Sequence, residues 1–494
     1  VTRIGDSAFR GCTSLESVTI PESVTEIRDY AFHGCTSLES VTIPESVTNI
    51  GGYAFSGCTS LESVTIPESV TEIGDYAFFD CRKLTAITIP NSVTSIGEQA
   101  FDGCGLKDIT IPKSVRTIKS RTFSSCDSLE TVVITKGVKT IGEGAFSRCA
   151  SLESVTIPES VTLIGTDAFS YCKSLKSITI PKSVKEIKTG AFGECRSLES
   201  IVISKGVTMI GEHTFHACTS LQSVTIPEGV TMISSHAFVG CTGLQEVVIP
   251  EGVTSIGESA FDDCTSLASV TIPESVTEIV RSPWPVLMHA FSGCKSVESI
   301  VVAEGNPVYD SREGCNAIIE TGTNTLFYGC KSTIIPESVK AIGNWAFAGC
   351  TSHESIVIPK GVREIGRNAF AGCASPNIII PESVNEIGDY AFGGCCSLES
   401  IVIPKGVTKI TDSAFRNCTS LKEIIIPESV KAIGDYAFAG CASHESIVIP
   451  KGVTKIGRNA FAGCASPNII IPESVKAIGD YAFGGCCSLE SIVI

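Results

Sequence analysis

A repeat solenoid, with a parallel β-sheet along one face and short turns or 3₁₀ pieces on the other, is the fold class this sequence predicts. Three observations carry it. Cysteine recurs at a fixed step: Cys12, Cys35, Cys58 and Cys81 lie 23 residues apart, and the column runs to Cys264, then from Cys350 to Cys486, with an occasional step of 22. Phenylalanine keeps pace three residues earlier, at Phe9, Phe32, Phe55, Phe78 and on to Phe483. Every period also holds a short alternating run such as Glu16-Ser17-Val18-Thr19-Ile20. A constant period of roughly 20–50 residues over nearly a whole chain means stacked repeats.

The elements of one period follow in order. Glu16 to Ile20 alternates polar and apolar residues and is rich in β-branched types, so it reads as a strand. Pro21 ends it, because proline gives no hydrogen to a ladder. Val24 and Ile27 mark a second short extended piece. Ala31, Phe32 and Cys35 suit one tight helical or 3₁₀ turn, and Gly34 can take a positive φ before the chain returns to Leu38. Burying a large apolar side chain gives roughly 1.5–3 kcal/mol, whereas ordering one residue's backbone costs roughly 1–2 kcal/mol. One rung therefore cannot stand alone, and stacked rungs bury each other's faces. Neighbouring strands are expected about 4.8 Å apart, on the concave face of a curved array. Phe32, Cys35, Phe55, Cys58, Phe78 and Cys81 are the expected core columns.

Charge and motifs narrow the function. The 494 residues hold 37 Lys and Arg against 53 Asp and Glu, a net charge of −16. Nothing neutralises a run of phosphates, so nucleic acid and anionic membranes are excluded as partners. No apolar run is long enough to span a bilayer. There is no H-E-x-x-H, P-loop, G-x-S-x-G or dinucleotide fingerprint, and only 7 His are scattered along the chain. No enzyme activity, metal or cofactor is expected. A line of cysteines cannot supply the clustered tetrahedral ligands zinc needs, and parallel side chains on adjacent rungs are poorly placed for disulfides. The column reads as buried free thiols, while Cys396 and Cys487, beside it, are the expected exposed ones and Cys315 is off register.

The run Leu15-x-x-Val18-x-Ile20-Pro21-x-x-Val24-x-x-Ile27, followed by Ala31-Phe32-x-x-Cys35, resembles the 23-residue leucine-rich repeat of the BspA-like class, associated with treponemal and Bacteroides-type surface proteins. Rungs such as Ile73-Gly74-Asp75-Tyr76-Ala77-Phe78 keep the glycine that Arg28 replaces. Asn306-Pro307-Val308-Tyr309-Asp310, Cys315-Asn316-Ala317-Ile318-Ile319 and Gly329-Cys330-Lys331 are similar to a longer irregular repeat of gut-bacterial members. The resemblance implies a secreted or surface-anchored, non-catalytic adhesion or binding module. Its partner would be a protein or glycan on host or neighbouring cells.

The array divides into a regular part, 1–279, an insert with the irregular repeat, 280–335, and a second regular part, 336–494, all in one solenoid. The insert carries Pro283, Trp284 and Pro285, read either as a bulge on the wall or as a projecting hot spot. Glu304-Gly305-Asn306-Pro307 reads as a loop. On the strand, Glu16, Ser17 and Thr19 recur as Glu39 and Thr42, then Glu62 and Thr65, a polar floor beside an acidic column and the candidate binding face. Glu22, Glu45 and Glu68 form a second acidic row, which later alternates as Lys360, Glu382, Lys405 and Glu428. His353, His444, Pro376 and Pro467 are read as replacing the core leucine. Residues 350–395 and 441–486 are near copies offset by 91, a pattern that favours a rival reading as a structural spacer. The chain starts and ends inside a repeat and is expected to be a piece of something longer, with its oligomeric state open.

Overall fold

The alternating run and the piece after it both become strands, and each stacks on its counterpart one period on. The computed structural model describes residues 1–280, 289–350, 355–441, 447–465 and 468–494. In the first ladder, Ser17–Thr19, Ser40–Thr42 and Ser63–Thr65 run parallel and in register, with Ser17 opposite Ser40 and Thr19 opposite Thr42. Val41 and Ile43 are buried while Ser40 and Thr42 are exposed, the two-residue period of a sheet with one wet face. Sequence reading gave each rung one ladder; the structure adds a second. Glu26–Ile27 pairs in parallel with Asn49–Ile50, which pairs with Glu72–Ile73.

The opposite side is a succession of turns. His33 N–H donates to Tyr30 O at 3.1 Å and Cys35 N–H to Phe32 O at 3.2 Å. Alternate amides reach the next rung instead: Tyr30 N–H to Gly52 O at 2.8 Å, Phe32 N–H to Ala54 O at 2.7 Å, and Gly34 N–H to Ser56 O at 2.7 Å. The turn side is thus a third hydrogen-bonded ladder. Its geometry requires left-handed backbone at Gly34 (φ 70°), as expected, and also at Tyr30 (φ 60°). Among the described residues the one 3₁₀ element is Arg312–Gly314.

Two compact units divide the chain, Val1–Cys264 and Thr265–Ile494. In the first, Phe32, Phe55 and Phe78 are fully buried, with successive ring centroids 5.3 Å apart and nearly parallel planes. In the second, the segment read as a longer irregular repeat is an antiparallel insertion. Tyr309–Asp310 pairs with Ala317–Glu320, which pairs with Thr325–Gly329, and that strand passes in parallel to Ala341–Ile342 and the regular rungs. Asn306 Oδ1 accepts the amides of Val308 and Tyr309 at 2.9 and 2.8 Å, a side-chain turn that aims the chain into the first strand. From Phe347 the stack resumes, with Phe347 and Phe370 5.2 Å apart.

The reading of Pro376 as a core replacement is corrected. The rung is one residue short, so fully buried Ser375 occupies the leucine's place and donates to Asn377 O at 2.9 Å. Pro376 stands where other rungs have Glu, and its carbonyl accepts the Glu399 amide at 3.1 Å.

Candidate binding surface

The strand ladder sets its outward residues in straight rows. Glu16, Glu39 and Glu62 are all exposed, as are Ser17, Ser40, Ser63 and Thr19, Thr42, Thr65. The backbone fixes the rows: Glu39 N–H donates to Glu16 O at 2.9 Å and Glu62 N–H to Glu39 O at 3.0 Å. The sequence-predicted floor is therefore brought together on one face of the first unit. Lys83 Nζ lies 3.8 Å from Glu62, and the row continues as the pair Lys176–Glu153 at 3.3 Å. Glu22, Glu45 and Glu68 form the exposed acidic row beside it. Opposite neighbours in that row engage at Lys205 and Glu228. Lys205 Nζ is 2.9 Å from Glu228 and holds its carboxyl below the usual carboxylate range. Pro283, Trp284 and Pro285, and likewise His353, His444 and Pro467, lie outside the described residues. His289, within the 280–335 segment, is buried, lies against Phe327 with centroids 4.7 Å apart, and hydrogen-bonds the Asn344 carbonyl.

On the turn side the tyrosine column stacks, with Tyr30–Tyr53 at 4.6 Å and Tyr53–Tyr76 at 4.4 Å between centroids, and the Arg10 guanidinium 5.3 Å over Tyr30. Gly144 interrupts the residues that continue this column. Without a side chain between Arg121 and Asp167 it opens a polar depression of 490 Å³ floored by Ser124, Ser147 and Ser170. Burial pushes the Asp102 carboxyl at its edge up to about 6, against the opposing pull of Ser125 and Arg121. Sequence reasoning missed this depression, and also a row of exposed aliphatic residues in the second unit at the place Thr19 holds in the first. The signal for that row was the change from Val-Thr-Ile to Ile-Val-Ile and Ile-Ile-Ile in the strand.

Among the described residues, no group of three or more His, Cys, Asp or Glu could hold a metal ion, and no helix is long and apolar enough to cross a membrane. The 24 cysteines are all free; Cys396 and Cys487 are exposed, as expected, and Cys315 is buried. Such a surface can bind by many shallow contacts repeated at the rung spacing.

Parallel rungs with a Leu, Phe and Cys core and an outward strand face define a leucine-rich repeat solenoid, a fold that is typically non-catalytic. The chain belongs to the BspA-type leucine-rich repeat proteins: the family model described as BspA type leucine rich repeat region matches in six copies over residues 1–104, 71–199, 185–311, 321–445 and 431–494. Membership points to a protein-interaction or surface role. No curated protein matches. Among solved structures, a leucine-rich repeat protein from Bacteroides ovatus is 25% identical, covering 96% of this chain and 86% of its own, with a TM-score of 0.30. A leucine rich cell surface protein from Faecalibacterium prausnitzii is 27% identical over 87% of this chain and 86% of its own, with a TM-score of 0.40. A Treponema pallidum leucine rich repeat protein is 28% identical over 46% of this chain and 78% of its own, with a TM-score of 0.23.

Proposed function

We propose that this chain is a non-enzymatic binding protein displayed on a cell surface or secreted, engaging a protein or glycan on host or neighbouring cells through its strand face. The observation that carries the reading is the exposed, in-register floor of Glu16, Glu39, Glu62 with Thr19, Thr42 and Thr65. Rows of carboxylates and hydroxyls at a constant spacing offer acceptors and donors to an extended partner. The acidic surplus favours partners with basic patches and speeds their encounter at low salt. The Pro283-Trp284-Pro285 segment is a second candidate contact.

The test is a binding screen of the full chain against extracellular-matrix proteins, bacterial surface proteins and a glycan array, at low and high salt. E16K/E39K/E62K and W284A are tested beside it. Saturable binding weakened by the triple charge reversal supports the strand face. Binding lost only with W284A moves the site to the insert. No saturable binding to any member favours the rival, a structural spacer or surface-assembly subunit, to which the 91-residue duplication also lends support.

A further inference from the structure

The second unit carries a surface that the polar floor of the first does not explain. Val357, Ile379, Val402, Ile425, Val448 and Ile470 occupy the outward strand position on six consecutive rungs, with exposure from 50% at Ile425 to 69% at Val448. The ladder sets them side by side: Val357 pairs with Ile379, Val402 with Ile425, and Val448 with Ile470. In the first unit the same position is Thr42, Thr65, Thr156 and Thr225, with Val133, Val202 and Val248 as isolated exceptions beside threonine rungs, so the fold itself does not need an aliphatic side chain there. Contiguous exposed apolar ridges are uncommon on monomeric proteins and mark contact surfaces.

Charge says what covers the ridge. Three residues beyond each aliphatic residue stands Lys360, Glu382, Lys405, Glu428, Lys451 or Glu473, in strict alternation. Every Val rung carries Lys and every Ile rung carries Glu. Among the described residues no side-chain ion pair holds any of these six; the contact seen is the Lys405 amide to Glu382 Oε2 at 3.2 Å. The row is self-complementary about an axis between adjacent rungs, and one such axis engages all six. A two-fold axis along the strands, passing between the rungs of Val402 and Ile425, reverses the order of the six rungs. Val402 then faces Ile425 of the second copy, Ile379 faces Val448, and Val357 faces Ile470. The flanking row matches Lys405 with Glu428, Glu382 with Lys451, and Lys360 with Glu473. An axis through a rung would set Lys against Lys and Glu against Glu. Such an isologous contact uses the same patch on both subunits, the apolar ridge supplying the driving force and the alternating charges the register.

We propose that the second unit pairs with a second copy of this chain, antiparallel, through the Val/Ile ridge and its Lys/Glu border. The test is sedimentation equilibrium of the full chain in reducing buffer at up to about 100 µM, near the weak end of specific association. The expected result is a species of twice the single-chain mass. V402T/I425T, which installs the first unit's own residue, is expected to be monomeric with an unchanged circular dichroism spectrum and melting temperature. K405E is expected to weaken the dimer about tenfold, and K405E/E428K to restore it, because the swapped charges face each other across the axis. A wild-type chain that stays monomeric overturns the proposal. So does a dimer indifferent to V402T/I425T, and a charge swap no better than K405E alone overturns the antiparallel register.

Discussion

Cys58 Sγ donates to the carbonyl oxygen of Phe32, one rung back, at 3.2 Å. The same geometry joins Cys81 to Phe55, Cys149 to Phe123 and Cys418 to Phe392. The Phe32 carbonyl also accepts the Cys35 amide within its own turn, so the thiol fills its second lone pair inside the core. The cysteine column is therefore a buried polar ladder as well as an apolar wedge. Because the carbonyl keeps the Cys35 amide, losing the thiol forfeits one net hydrogen bond, about 0.5–1.5 kcal/mol. C58A is expected to lower stability by that order, and C58S, which keeps a donor, by less. Urea denaturation midpoints of the two variants decide it; an alanine variant as stable as serine would make the sulfur a space-filler only.

Burial leaves these thiols protonated. The Cys58, Cys195 and Cys241 thiols are pushed up to about 12 by desolvation, because a thiolate would sit in the apolar stack. The thiolate is the nucleophile, so alkylation at pH 8 is expected to be fast only at exposed Cys12, Cys396 and Cys487, and slower at half-buried Cys350 and Cys486. In denaturant all 24 should react. Mass spectrometry after brief iodoacetamide treatment counts the adducts, and rapid native labelling at Cys58 or Cys241 would contradict the buried ladder.

What the sequence made legible were the columns. Phe32, Cys35, Phe55 and Cys58 follow from a strict period, and Ser17 to Thr19 from an alternation long enough to have a period at all. The ladder at Glu26–Ile27 has only two residues, too few for a pattern, and its pairing is imposed by the rungs on either side. Tyr30 at φ 60° was hidden because glycine is the usual sign of that backbone, and here cross-rung hydrogen bonding and ring stacking hold a bulky residue in it. Pro376 was misplaced because a missing residue shifts the rung by one, which exchanges inward and outward positions until the strand resumes at Asn377. The outward row of Val402 and Ile425 escaped notice because an apolar residue between two core residues reads as more core.

Phe55 sits between Phe32 and Phe78, 5.3 Å from each. Truncating a fully buried phenylalanine costs about 3–5 kcal/mol. In a repeat array each rung touches only its neighbours, so the loss should stay local. F55A is expected to speed hydrogen exchange in peptides covering Ala31–Cys35 and Ala77–Cys81, whose amides bond across the rungs, and to leave Phe392–Cys395 unchanged. Uniform acceleration along the chain would mean that the rungs unfold as one cooperative block.

Asp262 gives a pH dependence of known sign. Burial, reinforced by the neighbouring Asp263 carboxylate, pushes its carboxyl up to about 7, and its Oδ1 has no hydrogen-bond partner among the described residues. The folded chain therefore holds a proton there that the unfolded chain, with an ordinary carboxylate, has released. Between about pH 4 and 7 the native state binds more protons, so stability falls as pH rises through that window and is recovered on acidification. Ser124, Ser147 and Ser170 fill the same place after Phe on other rungs, so Asp262→Ser removes the titration with a residue the turn already accommodates. The wild-type melting temperature is expected to rise from pH 8 to pH 6 by more than that of D262S, with D262S the more stable at pH 8. Equal slopes would place the charge-dependent stability elsewhere, with half-buried Asp102, pushed up to about 6, the next group to substitute.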